Sequence, residues 1–377
     1  MSLENLDSRI SNLDSKLRNI SINQIFQRYP MAFFLIPLAA LCLVGMKFSG
    51  KEFRKDYMSP QTTTAVNGIF TVLVFMCHII NTSAYQYGGL ADKIFKDYIN
   101  IGQLVVVTFF FFSGYGIAES LRSKPGYAKR MPYHRIFRVW LSFAAALLLW
   151  LVFNLIRGLE MNAQMILLSF TGWDSLGNSN WFMFDIFCLY ILTCAAFLIC
   201  RDRFVPGAIL LTLLSAGLTA ALFFADRGTH WWNTIVFYPL GMWYSLLKPR
   251  IEKIVQKNNV VYWLFFAFFA AMTVVTHYLY IHWGYKQIVF MISGCFMMAF
   301  IITALMKFTV CNKTLLWIGK NLFWIYILQR IPMAAIGALG WEINKYLYVL
   351  ICAAVTVGLT FAFGALFKPI NKKLFGK

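Results

Sequence analysis

The chain has 377 residues, of which 60% are hydrophobic and 13% charged, and its formal net charge is +19. A soluble domain carries about a quarter charged residues, so this composition excludes a soluble globular protein and predicts a polytopic membrane protein. The apolar runs are long and lack the alternating ten-residue strands of a membrane β-barrel, so they predict helices.

Eleven apolar segments follow one another along the chain, each near the length of about 20 residues that a membrane helix needs. They predict an all-α polytopic membrane protein with about ten core transmembrane helices and one additional N-terminal hydrophobic helix. No large soluble domain remains between them. The segments are 29–48, 64–80, 99–119, 136–156, 180–200, 204–225, 232–247, 260–281, 286–306, 314–332 and 345–367.

Residues 1–28 are polar and lack the apolar core of a signal peptide, so no cleavable signal is predicted. They contain a heptad-spaced apolar stripe. One interpretation is an amphipathic helix that lies on the membrane surface. The other is a short coiled coil that makes a homo-oligomer through residues 3–20. The stripe consists of Leu3, Leu6, Ile10, Leu13, Leu17 and Ile20.

The positively charged residues are distributed unevenly between the two sides of the membrane. If loop 120–138 faces the cytoplasm, alternating the spans places 22 Lys and Arg on that side and seven on the other. This bias follows the positive-inside rule and does not indicate a nucleic-acid partner. The C-terminus is then cytoplasmic. Eleven spans place the N-terminus outside; a re-entrant segment 29–48 would place it inside.

A few ionisable residues lie within or near the spans, where such groups are costly and often functional. The alternation places His78 and Asp185 in the same outer half of the membrane. A carboxylate can hold an imidazole in one tautomer and stabilise its cation. The alternatives are a structural histidine in the bundle and an aspartate near the start of a helix. The other ionisable residues are Lys320, Glu119, His277 and Arg330.

The segment that contains His78 has a polar stripe. Asn67, Thr71, Val74 and His78 are spaced four, three and four residues apart, so they share one helix face. We expect this face to point into the bundle or a cavity and not into lipid.

Two outer loops, 174–181 and 224–233, combine aromatic and hydrogen-bonding residues, among them Asn180 and Trp181. This mixture is typical of a carbohydrate site, and interfacial aromatic belts produce it too. On the other side, Arg135 and Arg138 stand three residues apart at the start of a span. They can clamp a phosphate, or they can serve only to orient the protein in the membrane.

The eight cysteines lie mostly within spans or at their ends and form no CxxC pair. They predict small core residues and neither a disulfide framework nor a metal site.

Six short motifs follow one another along the chain. They are NGIFTVLVFMCH (67–78), VVVTFFFFSGYGIAESL (105–121), YHRIFRVW (133–140), NSNWFMFDIFCLYIL (178–192), VFYPLGMWYSLLKPRIEK (236–253) and LLWIGKNLFWIYILQ (315–329).

The order of these motifs resembles that of the acyltransferase-3 family, whose members are membrane proteins that acylate carbohydrates. The resemblance covers about residues 60–370 and includes ten core spans, which match the second to the eleventh segment. It divides the chain into an amphipathic helix (1–28), an additional hydrophobic helix with a basic linker (29–58) and an acyltransferase-3-like domain (59–377).

The sequence departs from the family pattern at three points. Asn67 stands where the family has a basic residue eleven positions before an essential histidine, here His78. Gln329 stands where many members have a second histidine. No hydrolase-like domain follows the last span, so transfer is expected to finish within the membrane domain or on another protein.

The resemblance implies an O-acyltransferase, most directly an O-acetyltransferase, that takes its acyl group from cytoplasmic acetyl-CoA or another acyl-CoA. The acceptor is a hydroxyl of a cell-surface polysaccharide or other exported carbohydrate. Acyl-CoA is a co-substrate, with no permanently bound cofactor and no metal. The lipid bilayer is the third expected partner, and the location is the bacterial plasma membrane.

The same resemblance gives roles to named residues. Arg135 and Arg138 would hold the CoA phosphates, helped by Lys320, and Ser113 would line the pore. His78 would act as general base or carry the acyl group. The remaining candidates follow from position: Asp185 to orient His78, and Asn67, Asn180 and Trp181 to bind substrate. A transporter or flippase of a glycan precursor, or a catalytically inactive relative, remains the alternative.

Overall fold

The computed structural model describes residues 30–82, 102–284, 286–340 and 343–376. Within these residues ten of the eleven predicted segments each contain one main helix, and segment 314–332 contains three. The heptad pattern of residues 3–20 lies outside them. The elements are α1 (Pro30–Leu43), β1 (Lys47–Phe48), α2 (Pro60–Ile80), α3 (Gln103–Ser123), α4 (Tyr127–Met131), the π-helix π1 (Pro132–Phe137), α5 (Arg138–Ile156), α6 (Ala163–Ser169), α7 (Trp181–Ile199), α8 (Phe204–Phe224), α9 (Thr229–Trp232), α10 (Phe237–Val255), α11 (Asn259–His282), α12 (Gln287–Leu305), β2 (Phe308–Thr309), α13 (Lys313–Lys320), α14 (Leu322–Leu328), α15 (Arg330–Leu339) and α16 (Lys345–Phe375).

Nine helical stretches in the described part of the chain are long and apolar enough to cross a membrane. The predicted all-α polytopic membrane fold is therefore confirmed. α10 is also 19 residues long, but its second half carries several charged side chains. α1 has only 14 residues, fewer than a perpendicular span requires.

One predicted segment is divided. The span expected over 314–332 consists of three helices, α13, α14 and α15, that meet at Asn321 and Gln329. Asn321 ends α13 because its backbone leaves the helical conformation and its side-chain amide donates to the Trp317 carbonyl at 2.8 Å. An asparagine side chain competes in this way with the helical hydrogen bonds.

Glycines allow two helix pairs of the membrane domain to approach closely. A Cβ atom at Gly114 of α3 would collide with the backbone of Tyr238 in α10, and one at Gly241 would collide with the backbone of Phe111. Small residues at such positions let the backbones of membrane helices touch. Gly68 and Gly319 bring α2 and α13 together in the same way, which places their neighbours Asn67 and Lys320 near one another.

α2 begins at Pro60, and Ser59 caps its N-terminus. The Ser59 hydroxyl accepts a hydrogen bond from the Thr62 backbone nitrogen at 3.3 Å, and Pro60 occupies the first helical turn. Proline is favoured there because that nitrogen has no helical partner to lose. The cap fixes the start of the helix that carries Asn67 and His78.

The linker before α2 is fastened to the turn after α12. β1 and β2 pair antiparallel, with Lys47 opposite Thr309. Lys307 is fully buried, and its ammonium donates to the carbonyl of Gly50 at 2.6 Å and to that of Glu52 at 3.2 Å. Burial lowers the pKa of this lysine, and the carbonyl oxygens compensate for the lost hydration. The basic linker is thus packed against the membrane domain.

Candidate active site

One cavity of about 470 Å³ lies between α2, α3, α5, α7, the α13–α14 junction and the end of α16. The α7 residues that line it include Phe182, Ile186 and Tyr190, which share one face over eight residues. At 1.5 Å per residue the cavity follows about 12 Å of this helix. We call the two regions along it the aromatic end, near Phe182, and the basic end, near Tyr190.

The basic end is built around the start of α5. It is lined by His134, Arg135 and Arg138, together with Lys320 and Asn371. The Arg138 Nε donates to the Asn371 Oδ1 at 3.2 Å. No acidic residue lines the cavity within the described chain, so these cations have no carboxylate beside them there. Such a set of side chains is suited to an anion.

Arg135 contacts Tyr190 inside the cavity and also interacts with Tyr127, which lies outside it. Its guanidinium lies 5.9 Å from the ring centroid of Tyr190, and the Tyr190 hydroxyl is 2.9 Å from the Ser113 Oγ. The Arg135 Nε is buried and has no hydrogen-bond partner among the residues described. A buried guanidinium nitrogen without an acceptor can take one from a ligand.

The π-helix π1 contributes two of the basic side chains at the basic end. Single π turns within α-helices are frequent at functional sites, and π1 carries His134 and Arg135 just before Arg138 at the start of α5. Asn67 enters the cavity from α2, and its side-chain oxygen is buried without a partner in the described structure. Its location agrees with the predicted polar face of that helix.

His78 lies beyond the aromatic end and does not line the cavity. The Phe182 ring, which does, packs edge-on against Tyr326 with 5.5 Å between ring centroids. Tyr326 in turn lies 6.2 Å from the imidazole of His78. Two aromatic rings therefore stand between the cavity and His78.

The imidazole contacts a serine. The Ser179 Oγ is 3.4 Å from the His78 Nε2, whereas the buried Nδ1 has no hydrogen-bond partner within the described residues. Arg330 lies within electrostatic range of both His78 and the Tyr326 hydroxyl. A cation from α15 therefore lies near His78, although Asn67 itself carries no charge.

The loop before α7 holds Ser179 in place through its own polar groups. The Ser175 hydroxyl donates to the Asn178 carbonyl at 2.7 Å, and the Asn154 amide of α5 donates to the Leu176 carbonyl at 2.7 Å. The Asn180 amide donates to the Gly172 carbonyl at 2.8 Å. Much of the hydrogen-bonding capacity of this predicted carbohydrate loop is therefore used within the protein.

Asp185 is fully buried, but no hydrogen bond joins it to His78. Both of its carboxyl oxygens are without a hydrogen-bond partner among the described residues. The carboxyl lies within electrostatic range of the Tyr326 hydroxyl, which also interacts with Ser179. Asp185 and His78 thus flank the same tyrosine without meeting.

Trp181 is the first residue of α7 and lies outside the cavity. Its ring centroid is 5.4 Å from that of His230 in α9 and 6.5 Å from that of Phe110. Nearby, the guanidinium of Arg227 lies 3.7 Å from the centroid of Trp173 and 4.8 Å from that of Trp231. The two predicted outer loops therefore meet in one aromatic cluster.

The cavity brings together Asn67, Ser113, Arg135, Arg138 and Lys320. His78, Asp185, Asn180 and Trp181 lie outside it. The structure also places residues at either end for which the sequence alone indicates no role: Ser179, Tyr190, Tyr326, Arg330 and Asn371. A tyrosine in an apolar helix gives no signal of its own, and Asn371 is separated from Arg138 by more than 200 residues.

Comparison with protein families supplies the class of protein. The model of the acyltransferase domain of the acyltransferase-3 family matches residues 65–365, which is most of the chain. This protein therefore belongs to the acyltransferase-3 family, as the motifs predicted. Neither a curated protein nor a solved structure matches the chain.

Proposed function

We propose that the protein is a membrane-bound O-acyltransferase that moves an acyl group, most simply acetyl, from cytoplasmic acyl-CoA to a hydroxyl of an exported or cell-surface carbohydrate. Its family supports acyl transfer. The observation that carries the finer proposal is the cavity itself. Its basic end has cations without a carboxylate. Beyond its aromatic end, the rings of Phe182 and Tyr326 lead to His78.

The basic end supplies the contacts that an acyl-CoA requires. Guanidinium groups bind phosphate oxygens through two parallel hydrogen bonds, and Arg135 has a buried nitrogen available for this. Arg138 and Lys320 add charge on either side of it. Charge bias along the sequence places this end in the cytoplasm, where CoA is found. The pantetheine arm then runs along α7, past Ser113, toward Phe182.

His78 is the proposed base. Its Nε2 takes the proton of the sugar hydroxyl as that oxygen attacks the thioester carbonyl. The new C–O bond forms, the C–S bond breaks, and the proton passes to the departing CoA thiolate. In the alternative order, His78 first carries the acyl group and CoA leaves before the sugar attacks. Both orders need the imidazole, so both assign it the same importance.

For this chemistry, the thioester of the donor has to pass the rings of Phe182 and Tyr326. Because they separate the cavity from His78, donor binding must displace the Phe182 ring before the thioester reaches Nε2. Enzymes commonly assemble their reactive geometry only with substrate bound. Replacing Phe182 by Ala should therefore preserve or increase hydrolysis of the thioester by water, and a loss of all turnover would contradict this role.

The remaining predicted residues have secondary roles in this proposal. Asp185 would stabilise the positive charge of the reacting imidazole through Tyr326 and not by a direct hydrogen bond. Asn67 would contact the acyl-pantetheine arm within the cavity. Trp181 and Asn180 would meet the sugar on the outer side, where aromatic faces suit the apolar faces of sugar rings.

Three further features of the proposal rest on the sequence: the first two on the resemblance and the third on the heptad stripe. The acceptor is a carbohydrate, the membrane is the bacterial plasma membrane, and residues 3–20 mediate any self-association. A transporter of a glycan precursor, or an inactive relative, is the competing proposal. The family match favours the enzyme.

The test uses purified protein in detergent with acetyl-CoA, and free CoA thiol is measured. Wild-type turnover that is lost in His78→Ala, with acetyl-CoA binding retained, is the expected result. Binding without turnover in both proteins would support the inactive relative. Absence of acetyl-CoA binding would reject the donor and leave the transporter.

A further inference from the structure

A second, smaller cavity of about 270 Å³ adjoins the first at its basic end. The two cavities share His134 and Arg138. We call the smaller one the notch. Its other lining residues include Lys124, Tyr127, Arg130 and Phe375. A ligand bound in the main cavity can therefore continue into the notch past Arg138.

The walls of the notch are held by specific contacts. Arg138 lies 5.8 Å from the ring centroid of Phe375, which is buried at the end of α16. The Tyr133 hydroxyl of π1 donates to the Leu374 carbonyl at 2.9 Å. On the opposite side, the Arg130 Nη2 donates to the Pro125 carbonyl at 2.8 Å. The end of the last helix is thereby fixed against π1.

The chemistry of the notch indicates a phosphorylated aromatic ligand. Four basic side chains and two aromatic rings line it, and no acidic residue does so in the described part of the chain. Arginine and lysine bind phosphate oxygens, and aromatic rings stack on nucleobases. The positive-inside rule accounts for positive charge on this side, but not for a concave site with aromatic walls that opens toward the donor cavity.

We propose that the notch binds the 3′-phosphoadenosine part of the acyl-CoA donor. This inference rests on the proposed function. The diphosphate crosses the junction at His134 and Arg138, the adenine lies between Tyr127 and Phe375, and the 3′-phosphate meets Lys124 and Arg130. The protein then selects CoA over acyl donors that lack the 3′-phosphate.

The selectivity follows from charge. A phosphomonoester carries about −1.5 to −2 charges at pH 7, and removing it leaves the rest of CoA unchanged. Lys124 and Arg130 are exposed, so screening by salt limits their effect. We therefore expect the 3′-phosphate to change affinity about tenfold at low salt.

The experiment measures the Kd of purified protein for CoA and for 3′-dephospho-CoA at low ionic strength. The variants are Lys124→Ala and Arg130→Ala. Lys129→Ala is the matched control, because Lys129 lies in α4 next to Arg130, is also exposed, and lines neither cavity. Wild-type protein should bind CoA about tenfold more tightly than dephospho-CoA.

Each variant of the notch should reduce this preference to about twofold by weakening CoA binding alone. Unchanged affinity for dephospho-CoA shows that the variant is folded. The control should keep the full preference. Equal wild-type affinities for the two ligands, or an equal loss in Lys129→Ala, would overturn the notch assignment while the proposed function stands. Failure of the wild type to bind either ligand would overturn both.

Discussion

The two ends of the cavity differ in the polar groups that they hold. At the basic end several cations lie together: Arg138 is bonded to Asn371, and Arg135 lies over Tyr190, which is bonded to Ser113, while the Arg135 Nε has no partner among the described residues. Beyond the aromatic end, the Nδ1 of His78 and the carboxyl oxygens of Asp185 are buried and have no hydrogen-bond partner in the described residues.

The comparison assigns different tasks to the two regions. The basic end has several cations that each contribute a part of the binding of an anionic donor. The region around His78 has few polar groups, and each is costly to bury unpaired. Retaining them there is reasonable if they act on a reacting group. Changes at the basic end should thus alter KM, and changes near His78 should alter kcat.

The largest effect is expected for His78→Ala. Removing a general base or an acyl carrier should lower kcat by about 10²- to 10⁴-fold, with the affinity for acetyl-CoA retained. Thiol release measures the first quantity and equilibrium binding the second. His282→Ala, at the end of α11 and outside both cavities, is the control and should behave as wild type.

A smaller loss of kcat is expected for Asp185→Asn. The carboxyl acts on His78 only through Tyr326 in this account, so we expect about a tenfold decrease in kcat and an unchanged KM. Asp226→Asn, in an exposed loop between α8 and α9, is the control that also removes one carboxylate. A KM effect from Asp185→Asn would place this carboxyl in donor binding and contradict the division of tasks.

Arg135→Ala and Arg138→Ala should each raise the KM for acetyl-CoA about tenfold, because each removes a charge-assisted hydrogen bond to phosphate. The kcat of each variant should stay within about twofold of wild type. Lys372→Ala removes a charge from the exposed end of α16 and should change neither quantity. An unchanged KM in both arginine variants would reject the phosphate clamp.

Added salt should have the smallest effect. The Debye length falls from about 10 Å at 0.1 M to about 3 Å at 1 M ionic strength, so KM should rise a few-fold over this range. Because the groups around His78 are buried, kcat should change little. Steady-state kinetics at several sodium chloride concentrations measure KM and kcat separately. A salt-dependent kcat with a constant KM would contradict the assignment of binding to the basic end and chemistry to the region of His78.

Much of the fold could be predicted from the sequence, because each membrane helix must satisfy its own backbone hydrogen bonds and therefore needs a long apolar run. The division of segment 314–332 could not, since it depends on a hydrogen bond from the side chain of Asn321 to the preceding turn. Apolarity alone does not distinguish a continuous span from three helices in succession.

The basic end could be predicted in part from the sequence. Arg135 and Arg138 lie close together along the chain, so their shared location follows from helix geometry. Asn371 comes from the last helix and reaches Arg138 only through tertiary packing. The pairing of His78 with Asp185 was predicted only because both residues lie in the same half of the membrane. Sharing a half fixes the depth of a residue but not the direction in which its helix face points. Ser179 is the contact that the structure shows.

The most direct test of the central claim is the Kd of His78→Ala for acetyl-CoA, measured together with its rate of thiol release. We predict a Kd within about twofold of wild type and a rate at least about 100-fold lower. A wild-type rate in this variant would remove His78 from the chemistry. A Kd raised as much as the rate is lowered would show that binding and chemistry are not separate tasks.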